Sequence, residues 1–184
     1  MLKKIIALGL VATPGALMAI DVEATATIVT ATRVREVDPM DFGSIIPVPA
    51  APPGTAPQGG DPVARLRATG TRDLNGSGLR GGTTPGSRAG TAAVFEFTGM
   101  AGNTFTVRPI PAFNLSLQGN RNVTMQVTVD HLRAAGDNVD VALGMALANP
   151  TGVRRFTLAS TLTVPRGQTP GIYSGTYSVT VDQN

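Results

Sequence analysis

Side chains able to do chemistry are few in this sequence. His131 is the one histidine, cysteine is absent, and both lysines, Lys3 and Lys4, stand at the extreme N-terminus. Thiol nucleophiles are therefore excluded, as are Schiff-base lysines beyond the first residues. A Ser-His-Asp arrangement would need Asp130 or Asp137 beside His131. Asp130 directly precedes His131 in a strand-like run, where successive side chains point to opposite faces. A lone histidine at a strand end reads more simply as a solvated or packed side chain. A histidine-based zinc site would need more nitrogen or sulfur ligands than the chain has. These residues point to a protein that is not an enzyme.

Two glycine-rich patterns suggest ligands and fall short of them. Gly76-Ser77-Gly78-Leu79-Arg80-Gly81 matches G-x-G-x-x-G, but Thr83-Thr84-Pro85 follows where a dinucleotide fold needs a helix. Asp73, Asn75 and Ser77 repeat the alternating oxygens of a calcium loop, with Gly78 at the turn. Thr84 occupies the place of the distal glutamate, so a turn rich in Asp, Asn and Gly is the preferred reading. Asp137 and Asp140 form a weaker case of the same kind. We expect neither metal nor cofactor.

The elements that must position these residues are strands. Between Asp21 and Val34, Val22, Ala24, Ala26, Ile28 and Val34 share one parity, while Glu23, Thr25, Thr27 and Arg33 share the other. Such alternation specifies a strand with one apolar face. With 22 glycines and 14 prolines punctuating short Val/Thr/Phe/Ile runs, the whole chain reads as all-β. Strands are expected at 22–35, 40–46, 63–69, 92–98, 103–109, 113–118, 122–131, 153–164 and 171–182, with 139–147 either strand or helical turn. The segments 153–164 and 171–182 alternate on either side of a polar turn and predict an antiparallel hairpin. In the second, Tyr173, Gly175, Tyr177, Val179 and Val181 share a face. Pro47–Pro62 and Gly70–Gly90 are expected to be long loops.

Composition sets the compartment expected of the protein. Lys3-Lys4, the apolar run Ile5–Val11 and the small residues up to Ala19 have the form of a secretory signal peptide, too short to span a membrane. The organisation expected is a leader over 1–19, an N-terminal donor-type strand over 20–35 and a β-sandwich over 36–184. Beyond the leader, 13 arginines face 12 acids, and no stretch combines clustered cations with interleaved aromatics. That argues against nucleic acid as a partner. A neutral-sugar module would need an aromatic platform, and only Tyr173, Tyr177 and a few phenylalanines are on offer.

Asp41-Phe42-Gly43-Ser44-Ile45, the run Ala93–Val107 and the closing run Leu162–Val181 carry a resemblance. The chain resembles an exported bacterial family, the domain-of-unknown-function family 4402, itself similar to spore coat protein U and archaic chaperone–usher pilin domains. Two departures stand out: Asp182-Gln183-Asn184 end the chain where the family commonly has an aromatic, and the relatives' cysteines are absent. The resemblance implies an immunoglobulin-like antiparallel β-sandwich, pilin-like, whose N-terminal strand is donated to a neighbouring subunit. It implies a structural subunit of an extracellular fibre or coat, with identical subunits, a periplasmic chaperone and an outer-membrane usher as partners. Val22, Ala24, Ala26 and Ile28 would be the inserted face, and Tyr173, Tyr177, Val179 and Val181 the receiving one. If a donated strand buried five apolar side chains, they would contribute about 8–15 kcal/mol before entropic costs. The alternative is a self-complete secreted domain that is adhesive or binds carbohydrate.

Overall fold

The computed structural model describes residues 31–53, 60–74, 78–82 and 87–184. The expected leader, Val22, Ala24, Ala26 and Ile28 lie outside the described residues, as do Asn75 and Ser77. Thirteen strands are formed among the described residues. The first seven are β1 (Arg33–Asp38), β2 (Ile45–Ile46), β3 (Val63–Leu66), β4 (Arg72–Asp73), β5 (Arg80–Gly81), β6 (Val94–Thr98) and β7 (Thr104–Val107). The others are β8 (Phe113–Leu117), β9 (Asn120–Ala134), β10 (Ala146–Ala148), β11 (Val153–Thr163), β12 (Tyr173–Ser174) and β13 (Val181–Gln183). Every ladder is antiparallel, and no helix occurs among the described residues.

The larger sheet runs β1-β6-β11-β9-β8-β12. β11 is its axis. One side of β11 takes β6 along Val153–Thr157 and then β3 along Ser160–Thr163, while the other takes β9. Phe156, Leu158, Ser160, Leu162 and Val164 of β11 and its extension face inward and are buried, as their common parity requires. A second sheet, β10-β7-β13, and a two-stranded ribbon, β2-β5, complete the fold.

Two cores follow. In the first, Phe97 of β6 stacks on Phe105 of β7 with ring centroids 4.6 Å apart, and Phe95 stacks on Phe156 at 5.6 Å. β6 and β7 are consecutive in the chain yet belong to different sheets, so their phenylalanines meet as facing layers. Leu132, Leu158 and Leu147 fill the remainder. The second core gathers Phe42, Leu66, Leu79, Val127 and Leu162. Met40 packs on both cores, and the Ser160 hydroxyl, fully buried, donates to Met40 Sδ at 3.4 Å.

The D-F-G-S run does its work here as a corner. Phe42 anchors the second core, and the Asp41 carboxylate accepts from Gly43 N at 2.7 Å. Gly43 has φ +69, and a Cβ on it would lie 2.4 Å from Arg88 O. Only glycine fits both conditions. The Arg72 guanidinium then donates from Nη1 to Phe42 O at 2.7 Å and to Ser44 O at 3.0 Å. Cβ atoms on Gly43, Gly81 or Gly90 would each lie within 2.9 Å of the Arg72 side chain, so three glycines cradle it.

Several expectations are corrected. The strand expected at 40–46 is reduced to β2, with a bridge between Asp41 and Thr91, because the corner bends the chain there. Of the strand expected at 22–35, residues 22–30 lie outside the described residues, and Arg33–Arg35 open β1, which continues to Asp38. The segment 139–147 supplies a bridge from Val141 to Leu132 and leads into β10. The C-terminal hairpin does not form: β11 is already paired on both sides, so β12 pairs with β8 and β13 with β7. The segment 171–182 is consequently no single strand but passes from one sheet to the other.

Candidate assembly surface

The face expected to receive a neighbour lies on this crossing segment. Tyr173 belongs to the second core, while Tyr177, Val179 and Val181 pack against the first, all half-buried. Ser174, Thr176, Ser178 and Thr180 between them are exposed. The segment therefore keeps strand alternation from end to end. Yet Gly175–Val179 forms no backbone hydrogen bond to another described residue, and the next contact is Arg108 N donating to Thr180 O at 2.9 Å. β13 pairs with β7 on one side and with no described strand on the other. An edge of this kind exposes unpaired amides and carbonyls to any further strand.

Local chemistry holds the segment in place. The Tyr173 hydroxyl donates to Thr169 O at 2.6 Å and accepts from Gln168 Nε2 at 2.9 Å. Gly175 passes so close to β8 that a Cβ would stand 2.4 Å from Asn114 O. Tyr177 stacks on Phe113 at 4.9 Å and meets Phe95 edge-on at 6.4 Å. Its hydroxyl is buried without a hydrogen-bond partner among the described residues. Burial, with a smaller contribution from Glu36, pushes the phenol up to about 12.

The polar C-terminus clamps the strand that follows. Asp182 takes Arg108 Nε at 2.6 Å and Nη2 at 2.9 Å. These hydrogen bonds hold the Asp182 carboxyl below its usual range and raise Arg108 above its own. Gln183 Oε1 accepts from Met100 N at 3.0 Å and from Thr32 Oγ1 at 3.4 Å. Thr32, just ahead of β1, thus stands beside the open edge. The chain then enters β1, where Glu96 of β6 takes Arg35 on one side and Arg155 of β11 on the other, both at 2.9 Å. The two guanidiniums, Arg35 first, hold Glu96 below the usual carboxylate range.

The candidates for chemistry fall elsewhere. Opposite Ala159 and Ser160 the register of β9 skips a residue, Ala159 facing His131 and Ser160 facing Val129. Asp130 is the extra residue of this bulge, and the inward parity passes from Val129 to Leu132 across it. Asp130 and His131 therefore line the same outer cleft, contrary to the expectation from strict alternation. Asp130 Oδ2 accepts from Thr161 Oγ1 at 2.6 Å. Asp140, rather than Asp137, reaches His131, at 3.2 Å from Nε2, and it also binds Arg133 at 2.7 Å. Asp137 pairs with Arg154 at 2.7 Å. Asp73 pairs with Arg67 across the β3–β4 turn. Among the described residues no three His, Asp or Glu side chains gather as metal ligands.

Sequence reasoning missed Arg108, Asp182 and Gln183 as clamps, Arg72 as the corner's anchor, and the placement of Asp130 and His131 in one cleft. Opposite charges at Arg108 and Asp182 were visible, but only the β7–β13 register places them together. No helix among the described residues is long and apolar enough to cross a membrane. Residues 29–182 match the model of a protein family, Domain of unknown function (DUF4402). No curated protein and no solved structure matches the chain.

Proposed function

The chain belongs to the DUF4402 family, and on that premise we propose that it is an exported structural subunit of an extracellular fibre or coat, assembled by β-strand addition. One observation carries the reading: Gly175–Gln183 alternates like a strand and packs the first core, but its outer backbone edge lacks a partner among the described residues. An incoming strand would complete the ladder and place alternate side chains beside Tyr177, Val179 and Val181. Residues 22–28 have the composition for that role, and Thr32 stands next to Gln183 at the edge itself. Donated to a neighbour, the segment makes a head-to-tail contact that does not close, and such contacts propagate into fibres. A periplasmic chaperone and an outer-membrane usher are the partners such a subunit would use on its way to the cell surface.

The contact of Thr32 with Gln183 also favours a second reading. The same segment is within reach of its own subunit's edge, where it would give a self-complete adhesive or carbohydrate-binding domain. Electron microscopy of the purified mature protein, beside a variant lacking residues 20–30, separates the two. Strand donation predicts filaments for the first and none for the second, with binding of a synthetic 20–31 peptide restored in the truncated protein. Filaments that persist after truncation overturn strand donation. A monomer at every concentration, with or without the segment, supports the self-complete domain.

A further inference from the structure

We propose that the outer cleft at the β9 bulge binds an acidic sugar unit, its carboxylate on Arg65 and its hydroxyls on Asp130 and His131. Ala159 is its floor, the small residue between Thr157 and Thr161 on the outer parity of β11. The β3–β4 turn, with Arg67 and Thr69, forms one wall, and His131 and Arg133 of β9 form the other. The cleft encloses about 160 Å³, room for on the order of ten waters. That volume suits one pyranose ring with its substituents.

The polar groups are sorted by what they already hold. Arg133 and His131 share Asp140, and Arg67 holds Asp73. Arg65 has no ion pair or hydrogen bond with a described residue, so its guanidinium is the cation available for an incoming carboxylate. Asp130 accepts from Thr161 and, at 3.3 Å, from Thr128. A carboxylate has about four acceptor sites, so Asp130 still has room for sugar hydroxyls. With Nε2 of His131 turned to Asp140, Nδ1 is left for a further hydroxyl. A bare anion would use Arg65 alone and be repelled by Asp130. A neutral sugar would leave Arg65 unused and would lack the aromatic platform such ligands favour. An acidic sugar uses both, and the bulge is the device that sets Asp130 beside His131. The proposal is independent of strand donation, since the cleft lies on the outer face of the large sheet, away from the β13 edge.

His131 is the sole histidine, so its imidazole proton resonances report on the cleft without assignment. Titrating the full-length protein with trigalacturonate is expected to shift them saturably, whereas neutral galactotriose and sodium sulfate at equal concentration leave them in place. Arg65→Gln and Asp130→Asn, both at exposed positions, are each expected to weaken binding about tenfold with unchanged melting curves. Arg88→Gln, remote from the cleft, is expected to bind as the wild type. Absence of a saturable shift in the wild type overturns the proposal. So does a sulfate response equal to that of the uronate, which marks a simple anion site, or wild-type affinity in Arg65→Gln.

Discussion

Arg108 and Asp182 face one another across the β7–β13 ladder and join through two hydrogen bonds, at 2.6 and 2.9 Å. The Cα register pairs Asp182 with Thr106 and Val181 with Val107, so the long guanidinium reaches diagonally to the carboxylate. The pair closes the last strand of the chain over the first core.

This clamp gives the open edge a dependence on acid. The folded carboxyl of Asp182 lies below its ordinary value, so it favours the docked strand above the unfolded pKa, near 3.8. That contribution is lost as pH falls through the folded value. Protection of the Val181–Gln183 amides, measured against the intrinsic exchange rate at each pH, is expected to fall below about pH 4. In Asp182→Asn the same amides should exchange faster at neutral pH and lose this acid step. Unchanged exchange in the variant would show that the clamp does not hold β13.

Tyr177 makes a prediction of the opposite sign. Its folded phenol ionises near 12 rather than 10.0, so its contribution is intact below the unfolded value and is lost as pH rises from about 10 to about 12. Tyr177→Phe removes a buried hydroxyl that has no partner among the described residues. The variant is expected to be more stable at pH 7 by about 1 kcal/mol and to have a shallower alkaline loss. Urea titrations at pH 7 and pH 11 measure both.

The corner built on Arg72 is expected to be sensitive to charge and shape together. Arg72→Met would leave Phe42 O without its donor and Ser44 O with Gly82 N alone, and should destabilise the fold by about 2–3 kcal/mol. Arg72→Lys recovers only part, because an ammonium lacks the planar fork that the three glycines enclose. Chemical denaturation of both variants tests the ranking, and equal stability of Lys and wild type would refute it.

Gly175 offers a test of the crossing segment. A methyl group there meets Asn114 O at 2.4 Å, a backbone atom that cannot move aside cheaply. Gly175→Ala is expected to lift Tyr177 from Phe113 and to destabilise by about 2 kcal/mol or more. If strand addition drives assembly, the variant should also slow filament growth, which light scattering follows.

The corrections at particular residues show where local pattern ceased to be enough. Phe95 and Phe97, Phe105 and Val107, and Phe156, Leu158 and Leu162 each share a parity within strands expected from the sequence, and a half-buried strand must segregate its two faces. All of them lie in the cores. The D-F-G-S run was visible as a motif, but its partner Arg72 is about thirty residues away, and nothing local announces a donor at that distance. Asp130 was misplaced because a bulge is a property of a pair of strands, set by the register against β11, and a single strand's sequence does not contain it. The C-terminal hairpin failed for a related reason: two adjacent alternating runs specify two strands, whereas competition among all strands for the edges of β11 decides which ones pair.

The class of the protein was legible before any contact was known: alternating strand runs, scarce catalytic groups, no thiol chemistry and a family signature spread over residues 29–182. Those properties follow from composition and from a period of two, which are local. Tertiary structure alone decided that β12 and β13 separate onto two sheets, that Gly175–Val179 is left without a ladder, that Arg108 finds Asp182, and that Asp130 stands beside His131. Each is a matter of register and layer, fixed only when every strand has competed for the same inward face and the same hydrogen-bonding edges.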